Sequence, residues 1–168
     1  AYTREQSGRG WHPGGNVTLD YTLKYDMHQL IVSAMYNNFQ WNQEQDYIQT
    51  EEGRDTTHQQ QNNYSHNQHI EIKADYEWKP TQQSRLEAGY NYSRTWGTNN
   101  SVAYNMFADA QTELYPYYAQ FDNIVQNHAL YVTYGNRFWD KLSIQVGLRG
   151  EYYMRHLESY YKDNNGTI

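Results

Sequence analysis

The sequence predicts an all-β fold, an antiparallel up-and-down meander of about six strands. Three observations carry this expectation. Six segments alternate apolar and polar residues with period two. The connections between them alternate between short and long. The composition combines 19 Tyr and 5 Trp with a mean hydropathy of −1.09, which suits strands built from aromatic bodies with polar tips.

The first strand is expected over residues 15–25, with Val17, Leu19, Tyr21, Leu23 and Tyr25 on one face. The second is expected over 29–41, with Leu30, Val32, Ala34 and Tyr36 in register. Its opposite face, Ile31, Met35, Phe39 and Trp41, is also partly apolar. The third, 67–79, is the clearest. Ile70, Ile72, Ala74, Tyr76 and Trp78 alternate there with His69, Glu71, Lys73, Asp75, Glu77 and Lys79. The fourth, 84–96, sets Leu86, Ala88, Tyr90 and Tyr92 against Arg85, Glu87, Asn91 and Ser93. The fifth, 127–138, sets Leu130, Val132 and Tyr134 against Tyr131, Thr133 and Arg137. The sixth, 142–155, sets Leu142, Ile144, Val146, Leu148 and Tyr152 against Ser143, Gln145, Arg149 and Glu151.

Strands one and two, three and four, and five and six are joined at hairpin length. The connections near 42–66 and 97–126 are too long for hairpins and are expected to be loops, as are the polar ends. Short turns on one rim and long loops on the other describe an outer-membrane barrel, with the long loops extracellular. Ile70 to Trp78 spans roughly 27–30 Å at the usual rise per residue. At a tilt of about 40° this covers the apolar belt of such barrels. Aromatics gather at both margins, with Tyr25, Trp78, Phe138 and Trp139 by the short turns and Tyr36, Tyr92, Trp96 and Tyr152 on the other side.

The totals bound the remaining possibilities. The length of 168 residues suits one domain, and the absence of Cys excludes disulfides. A net charge of −6 speaks against a nucleic-acid partner. No 18-residue apolar run offers a transmembrane helix. The opening residues Ala1-Tyr2-Thr3-Arg4-Glu5 lack a leader pattern and read as the interior of a longer chain. Six strands are too few to close a membrane barrel, and an open edge in lipid leaves backbone groups unpaired. Residues 1–168 are therefore expected to be one partial barrel domain.

Three segments resemble a known family. Leu86-Glu87-Ala88-Gly89-Tyr90-Asn91-Tyr92 and the stretch from Phe121 through Ala129-Leu130-Tyr131 are similar to two of its strands. Val146-Gly147-Leu148-Arg149-Gly150-Glu151 resembles its Gly-Leu-Arg-x-Glu strand. The family is that of TonB-dependent outer-membrane receptors, of the Bacteroidota outer-membrane β-barrel type. The resemblance covers roughly 66–155 well and the earlier part loosely. It implies a 22-stranded barrel in the bacterial cell outer membrane, filled by an N-terminal plug domain. It also implies import of a scarce nutrient (iron chelate, cobalamin, glycan or peptide) driven by the TonB complex. The implied partners are outer-membrane lipid, the plug and TonB complex through the rest of the parent protein, and a surface lipoprotein.

Facing assigns candidate roles. Ile70, Ile72, Ala74, Leu86, Leu130, Val132, Ile144, Val146 and Leu148 are expected to face lipid. Glu71, Lys73, Asp75, Glu77, Arg85, Glu87, Gly89, Arg149 and Glu151 are expected to face the lumen and the plug. Glu77 and Arg85 stand close enough to pair across their hairpin. Gly89 and Gly147 offer close approach to the plug backbone, or relief of curvature. In the 97–126 connection, Tyr104, Phe107, Tyr115, Tyr117 and Tyr118 cluster around Pro116 as candidate ligand contacts, with Phe121 nearby. Two metal readings are weak. His66, His69 and Glu71 do not share one strand face, and Asp46, Glu51, Glu52 and Asp55 lack the ligand spacing of calcium loops. No metal site, no cofactor and no catalytic motif is expected. The alternative reading is a soluble extracellular β-sandwich that binds carbohydrate. It requires Ile70, Ile72 and Leu148 to be buried against a second sheet.

Overall fold

The computed structural model describes residues 2–51, 56–107, 110–113, 118–139 and 141–162. They form one antiparallel sheet of eight strand segments: β1 (Tyr2–Trp11), β2 (Gly14–Tyr25), β3 (His28–Glu51), β4 (Thr57–Trp78), β5 (Ser84–Phe107), β6 (Ala110–Glu113), β7 (Ala119–Phe138) and β8 (Leu142–Tyr161). The order is β1-β3-β4-β5-β7-β8, with β2 also on β3 and β6 on β5. Both β1 and β2 pair with β3 in one continuous register, Trp11 opposite Asn42 and Gly14 opposite Phe39. They are one stave interrupted at Pro13, which has no N–H to give the ladder. The Pro13 carbonyl still accepts from the Gln40 N–H at 2.8 Å. The meander therefore has six staves, with β6 a short addition to the fourth.

The staves are much longer than alternation alone predicts. Residues 42–51 and 57–66 continue β3 and β4, and residues 97–107 and 119–126 continue β5 and β7. The expected long loops near 42–66 and 97–126 are thus largely sheet, and the N-terminal stretch is β1. The physical reason is that ladder hydrogen bonding does not require alternation. Alternation arises only where the two faces meet different surroundings.

Among the described residues each strand touches only its ladder neighbours, and no second layer covers either face. Ala129, at 2% exposure, is the one buried apolar residue among those described. Leu148 is 75% exposed and Ile72 37%. The sandwich reading needed both buried against a second sheet, and the described residues form only one.

Two geometric features are those of a barrel wall. The first is stagger. The row of partners through Tyr25 and His28, at the first hairpin, runs through Trp78 and Leu86 to Tyr134 and Val146. The third hairpin closes at Phe138 and Leu142, about four residues further on. That offset is roughly 14 Å along the strand, against about 19 Å across four interstrand gaps. If the short turns share one rim, the strands tilt by between about 35° and 40°, within the range for barrels. The turns are tied edge to edge, Lys79 N–H to the Met27 carbonyl and Arg137 N–H to the Gln83 carbonyl, both at 2.9 Å. Asp26 and Trp139 take left-handed φ values of 51° and 50° in these turns. The conformation is easy for Asp and costly for a bulky residue such as Trp.

The second feature is unequal crowding of the two faces. A Cβ added at Gly89 would overlap the Tyr131 ring, and at Gly97 the Asn67 side chain. At Gly14 it would lie 3.1 Å from the Phe39 ring, and at Gly147 2.9 Å from the Thr133 hydroxyl. All four glycines are on the polar face, and each is filled by its own ladder partner. At Gly15 and Gly150, on the apolar face, a Cβ would meet nothing within 4 Å. Side chains that converge on one face and splay on the other indicate a sheet curved towards its polar face.

Candidate functional site

Constant registers put every apolar stripe on one face. In the lower half Tyr21, Val32, Ala74, Tyr90 and Leu130 form one row, and Leu23, Leu30, Tyr76, Ala88, Val132 and Leu148 form another. Ile70, Ile72, Leu86, Ile144 and Val146 lie on this same face. Aromatic and histidine rings close the band at both margins. His28 stacks on Trp78 at 6.0 Å near the turns. At the opposite margin His128 lies 4.8 Å from Tyr92 and 6.3 Å from Tyr152.

The opposite face of this band is charged. It brings together Glu71, Lys73, Asp75, Glu77, Arg85, Glu87, Gly89, Arg149 and Glu151. Its carboxylates are occupied. Glu77 takes Lys79 at 2.7 Å and Arg85 at 2.5 Å, and Arg85 also reaches Glu87 at 2.5 Å. Glu71 takes Lys73 at 2.9 Å and the Asn91 amide at 2.8 Å. Arg149 donates to Glu151 at 2.6 Å, and Ser33 donates to Asp20. The Tyr131 hydroxyl donates to Asp75 at 2.7 Å. That last bond crosses a whole strand, because the Tyr131 ring lies over Gly89 of β5 to reach β4. Gly89 and Gly147 are thus filled by Tyr131 and Thr133. The space at each glycine is taken by a side chain of the same sheet. A carboxylate already held by a donor is a poor general base, and this half of the face reads as braced wall.

Above the band the same face changes character. Its described residues include Asn37, Phe39, Trp41, Gln43, Gln45 and Tyr47 on β3, followed by Gln59, Gln61, Asn63, Ser65 and Asn67 on β4. On β5 and β7 it carries Asn99, Ser101, Phe121 and Asn123. From Asn37 to Gln49 on β3, and above the band on β4, β5, β7 and β8, it carries no Asp or Glu among the described residues. Glu44, Asp46, Asp122 and Glu158 are on the other face. There Arg9 grips Glu44 through Nε and Nη2 at 3.1–3.2 Å, and His58 meets Asp46 at 3.3 Å. Glu158, also on that side, accepts from Tyr160 and contacts His156 at 2.8 Å. The Tyr160 hydroxyl, and secondly His156, hold the Glu158 carboxyl below the ordinary carboxylate range.

A depression of about 350 Å³ opens in this upper region, with Trp41, Asn63, Ser65, Asn99, Ser101 and Phe121 among its lining residues. Trp41, Ser65, Asn99 and Phe121 are successive partners in one ladder row. Trp41 is backed by His12 at 6.2 Å, and Phe121 by the edge of Tyr161 at 5.7 Å. Sequence reasoning registered Phe39 and Trp41 on the polar side of their strand but did not pair Trp41 with Phe121. The two lie 80 positions apart in sequence, and only the register joins them.

The aromatic cluster expected around Pro116 is not assembled among the described residues. Tyr104 lies opposite Gln60, on the other face. Tyr118 donates to Gln120 at 3.1 Å and lies under the Lys162 ammonium at 4.4 Å. Phe107 ends β5, its side chain outside the described set, and Tyr115 and Tyr117 also lie outside it. His66 and His69 occupy opposite faces, bound to Asn38 at 2.7 Å and Thr95 at 2.8 Å. Of the acidic set, Asp46 is paired with His58, while Glu52 and Asp55 lie outside the described residues. Among the described residues no three metal-ligating side chains converge.

With this geometry in place, comparison with known families is decisive. Residues 21–167 match the model of the outer membrane protein beta-barrel family. The chain belongs to the outer membrane protein beta-barrel family. It is a bacterial outer-membrane protein, and the sheet is barrel wall. The match takes in all staves from within β2 onwards, including the upper extensions. No curated protein matches the chain.

Proposed function

We propose that this chain is a wall segment of a TonB-dependent outer-membrane receptor that binds and imports a scarce nutrient. The apolar band, from Ile70 to Trp78 and its row partners, then faces lipid. The charged face lines the lumen against an N-terminal plug, and the short turns are periplasmic. The observation that carries this reading is a charged face whose carboxylates are all held by donors, opposite a bare apolar one. A wall with that pattern separates lipid from a polar filling. The Gly147-Leu148-Arg149-Gly150-Glu151 strand, which resembles the receptor family, adds to it.

The β1–β2 stave and β8 each present a long unpaired edge. In lipid such an edge costs several kcal/mol per orphaned backbone group. Further strands of the same polypeptide complete the wall in this reading, up to the 22 of the receptor type. The role is passage and binding rather than catalysis. The TonB complex supplies the energy, and a surface lipoprotein is the expected extracellular partner.

The test is uptake and fractionation of the full-length parent protein. It is expected in the detergent-extracted outer-membrane fraction, and growth on its nutrient is expected to cease when the energising complex is deleted. Growth that persists without that complex would remove the receptor reading and leave a passive barrel.

A further inference from the structure

We infer that the polar face above the lipid band is a binding platform for a neutral oligosaccharide, centred on Trp41 and Phe121. The inference rests on the barrel reading above, which makes this face the outer vestibule wall.

The first ground is the partition of charge. Within the band this face carries Asp20, Glu71, Asp75, Glu77, Glu87 and Glu151. Above it, from Asn37 to Gln49 on β3 and on the described parts of β4, β5, β7 and β8, the same face carries no carboxylate, while Glu44, Asp46, Asp122 and Glu158 all lie on the other face. Its cations are engaged, Arg155 donating to Asn123 at 3.1 Å and Arg4 lying over the Tyr47 ring at 4.8 Å. A ligand at the Trp41–Phe121 row meets neither a free cation for an anionic chelate nor a carboxylate for a basic peptide.

The second ground is the donor set. Asn63, Ser65, Asn99 and Ser101 form a floor of amides and hydroxyls that both donate and accept, the match for sugar hydroxyls. Ser101 donates to Asn63 at 2.7 Å and Asn67 to Ser65 at 2.8 Å, which fixes their orientation. Asn99 has no side-chain partner among the described residues, so its amide is available.

The third ground is the flanking rings. Trp41 and Phe121 stand in one ladder row with Ser65 and Asn99 between them. Three interstrand gaps give about 14 Å between their backbones. A short oligosaccharide fits across that span with the C–H face of a ring on each aromatic. Rings already packed, as these are by His12 and Tyr161, lose little entropy on binding.

The experiment uses the full-length protein in detergent micelles. Titration calorimetry is run with maltohexaose, cellohexaose and mannohexaose, beside oligogalacturonate and ferric citrate. At least one neutral hexasaccharide is expected to bind with a Kd between about 10 µM and 1 mM, and more tightly than either anion. Trp41→Ala and Phe121→Ala are each expected to weaken it about tenfold or more, Trp41→Phe less, and Trp11→Ala, on the other face, not at all. Tighter binding of either anion would overturn the inference, as would saturable binding of no neutral sugar or equal losses in Trp41→Ala and Trp11→Ala. Heat-modifiable gel migration of the same samples reports the folded barrel. A folded barrel that binds none of these sugars removes this inference alone, whereas a chain that never enters the membrane fraction removes the barrel reading too.

Discussion

The lower and upper halves of the polar face are built on the same strands, in the same registers, with opposite chemistry. Below, side chains are charged and paired: Arg85 with Glu77 and Glu87, Lys73 with Glu71, Arg149 with Glu151. Above, around Trp41 and Phe121, they are amides, hydroxyls and aromatics, with Glu44, Asp46, Asp122 and Glu158 on the other side of the sheet. The lower half faces a wall whose back is apolar, so its charges brace neighbouring strands across a narrow polar layer. The upper half has polar residues on both faces and needs no such bracing. It is free to present rings and neutral hydrogen-bonding groups. One sheet thus separates scaffold from recognition along its strands rather than between its elements.

Substitutions that place the same change in each half test this contrast. The largest effect is expected for Ala74→Arg, which puts a charge at the centre of the Ile70–Trp78 band. It should cost about 2–4 kcal/mol in urea unfolding from lipid vesicles. Ile48→Arg is on the same face but above the band, and should change stability by less than about 0.5 kcal/mol. Equal losses in both would show that the band does not end where the rows of Tyr36 and Ile70 place its margin.

Next in size is Gly89→Ala. Its Cβ has no room beside the Tyr131 ring, and the overpacking should cost about 1–3 kcal/mol. Gly150→Ala, where the space is open, should be close to neutral. Combining Gly89→Ala with Tyr131→Ala should recover part of the loss, since the double variant removes the collision. A strictly additive result in the same unfolding assay would mean that the ring does not lie over Gly89.

A smaller effect is expected for Glu77→Gln, which loosens the ion pairs by the second hairpin. In a wet lumen this should cost about 0.2–1 kcal/mol and shrink as salt is raised. The smallest is local. Titration of the Glu158 carboxyl by carbon-detected NMR should give a midpoint below the ordinary value of 4.5, because Tyr160 and His156 stabilise its charged form. The sign follows from linkage. A depressed folded value adds stability above the unfolded pKa and loses it as the pH falls through the folded one. Tyr160→Phe should move the midpoint back up.

Much of the wall was legible in the residues. The alternation at Ile70–Trp78 and Leu142–Leu148 marks strands with unlike faces, and the short turns fix which strands are neighbours. The upper strands were not legible. Around Gln59-Gln60-Gln61-Asn62-Asn63 polar residues follow one another without alternation, and such a run reads as loop. The structure pairs it residue by residue with β3 and β5. The binding platform was hidden for the same reason. Trp41 gave half a signal, as an aromatic of the wrong parity, and its counterpart Phe121 lay in a segment read as loop.

By itself the sequence determined the membrane-level part of this protein: which residues turn to the apolar side, which to the charged side, and where the tight turns fall. It could do so because lipid and a polar lumen impose opposite demands on successive residues of a strand. The tertiary structure alone decided the height of the wall, its stagger and curvature, the filling of Gly89 by Tyr131, and the meeting of Trp41 with Phe121. These depend on register between distant strands, and where both faces are polar, backbone hydrogen bonds set that register without leaving a periodic mark in the side chains.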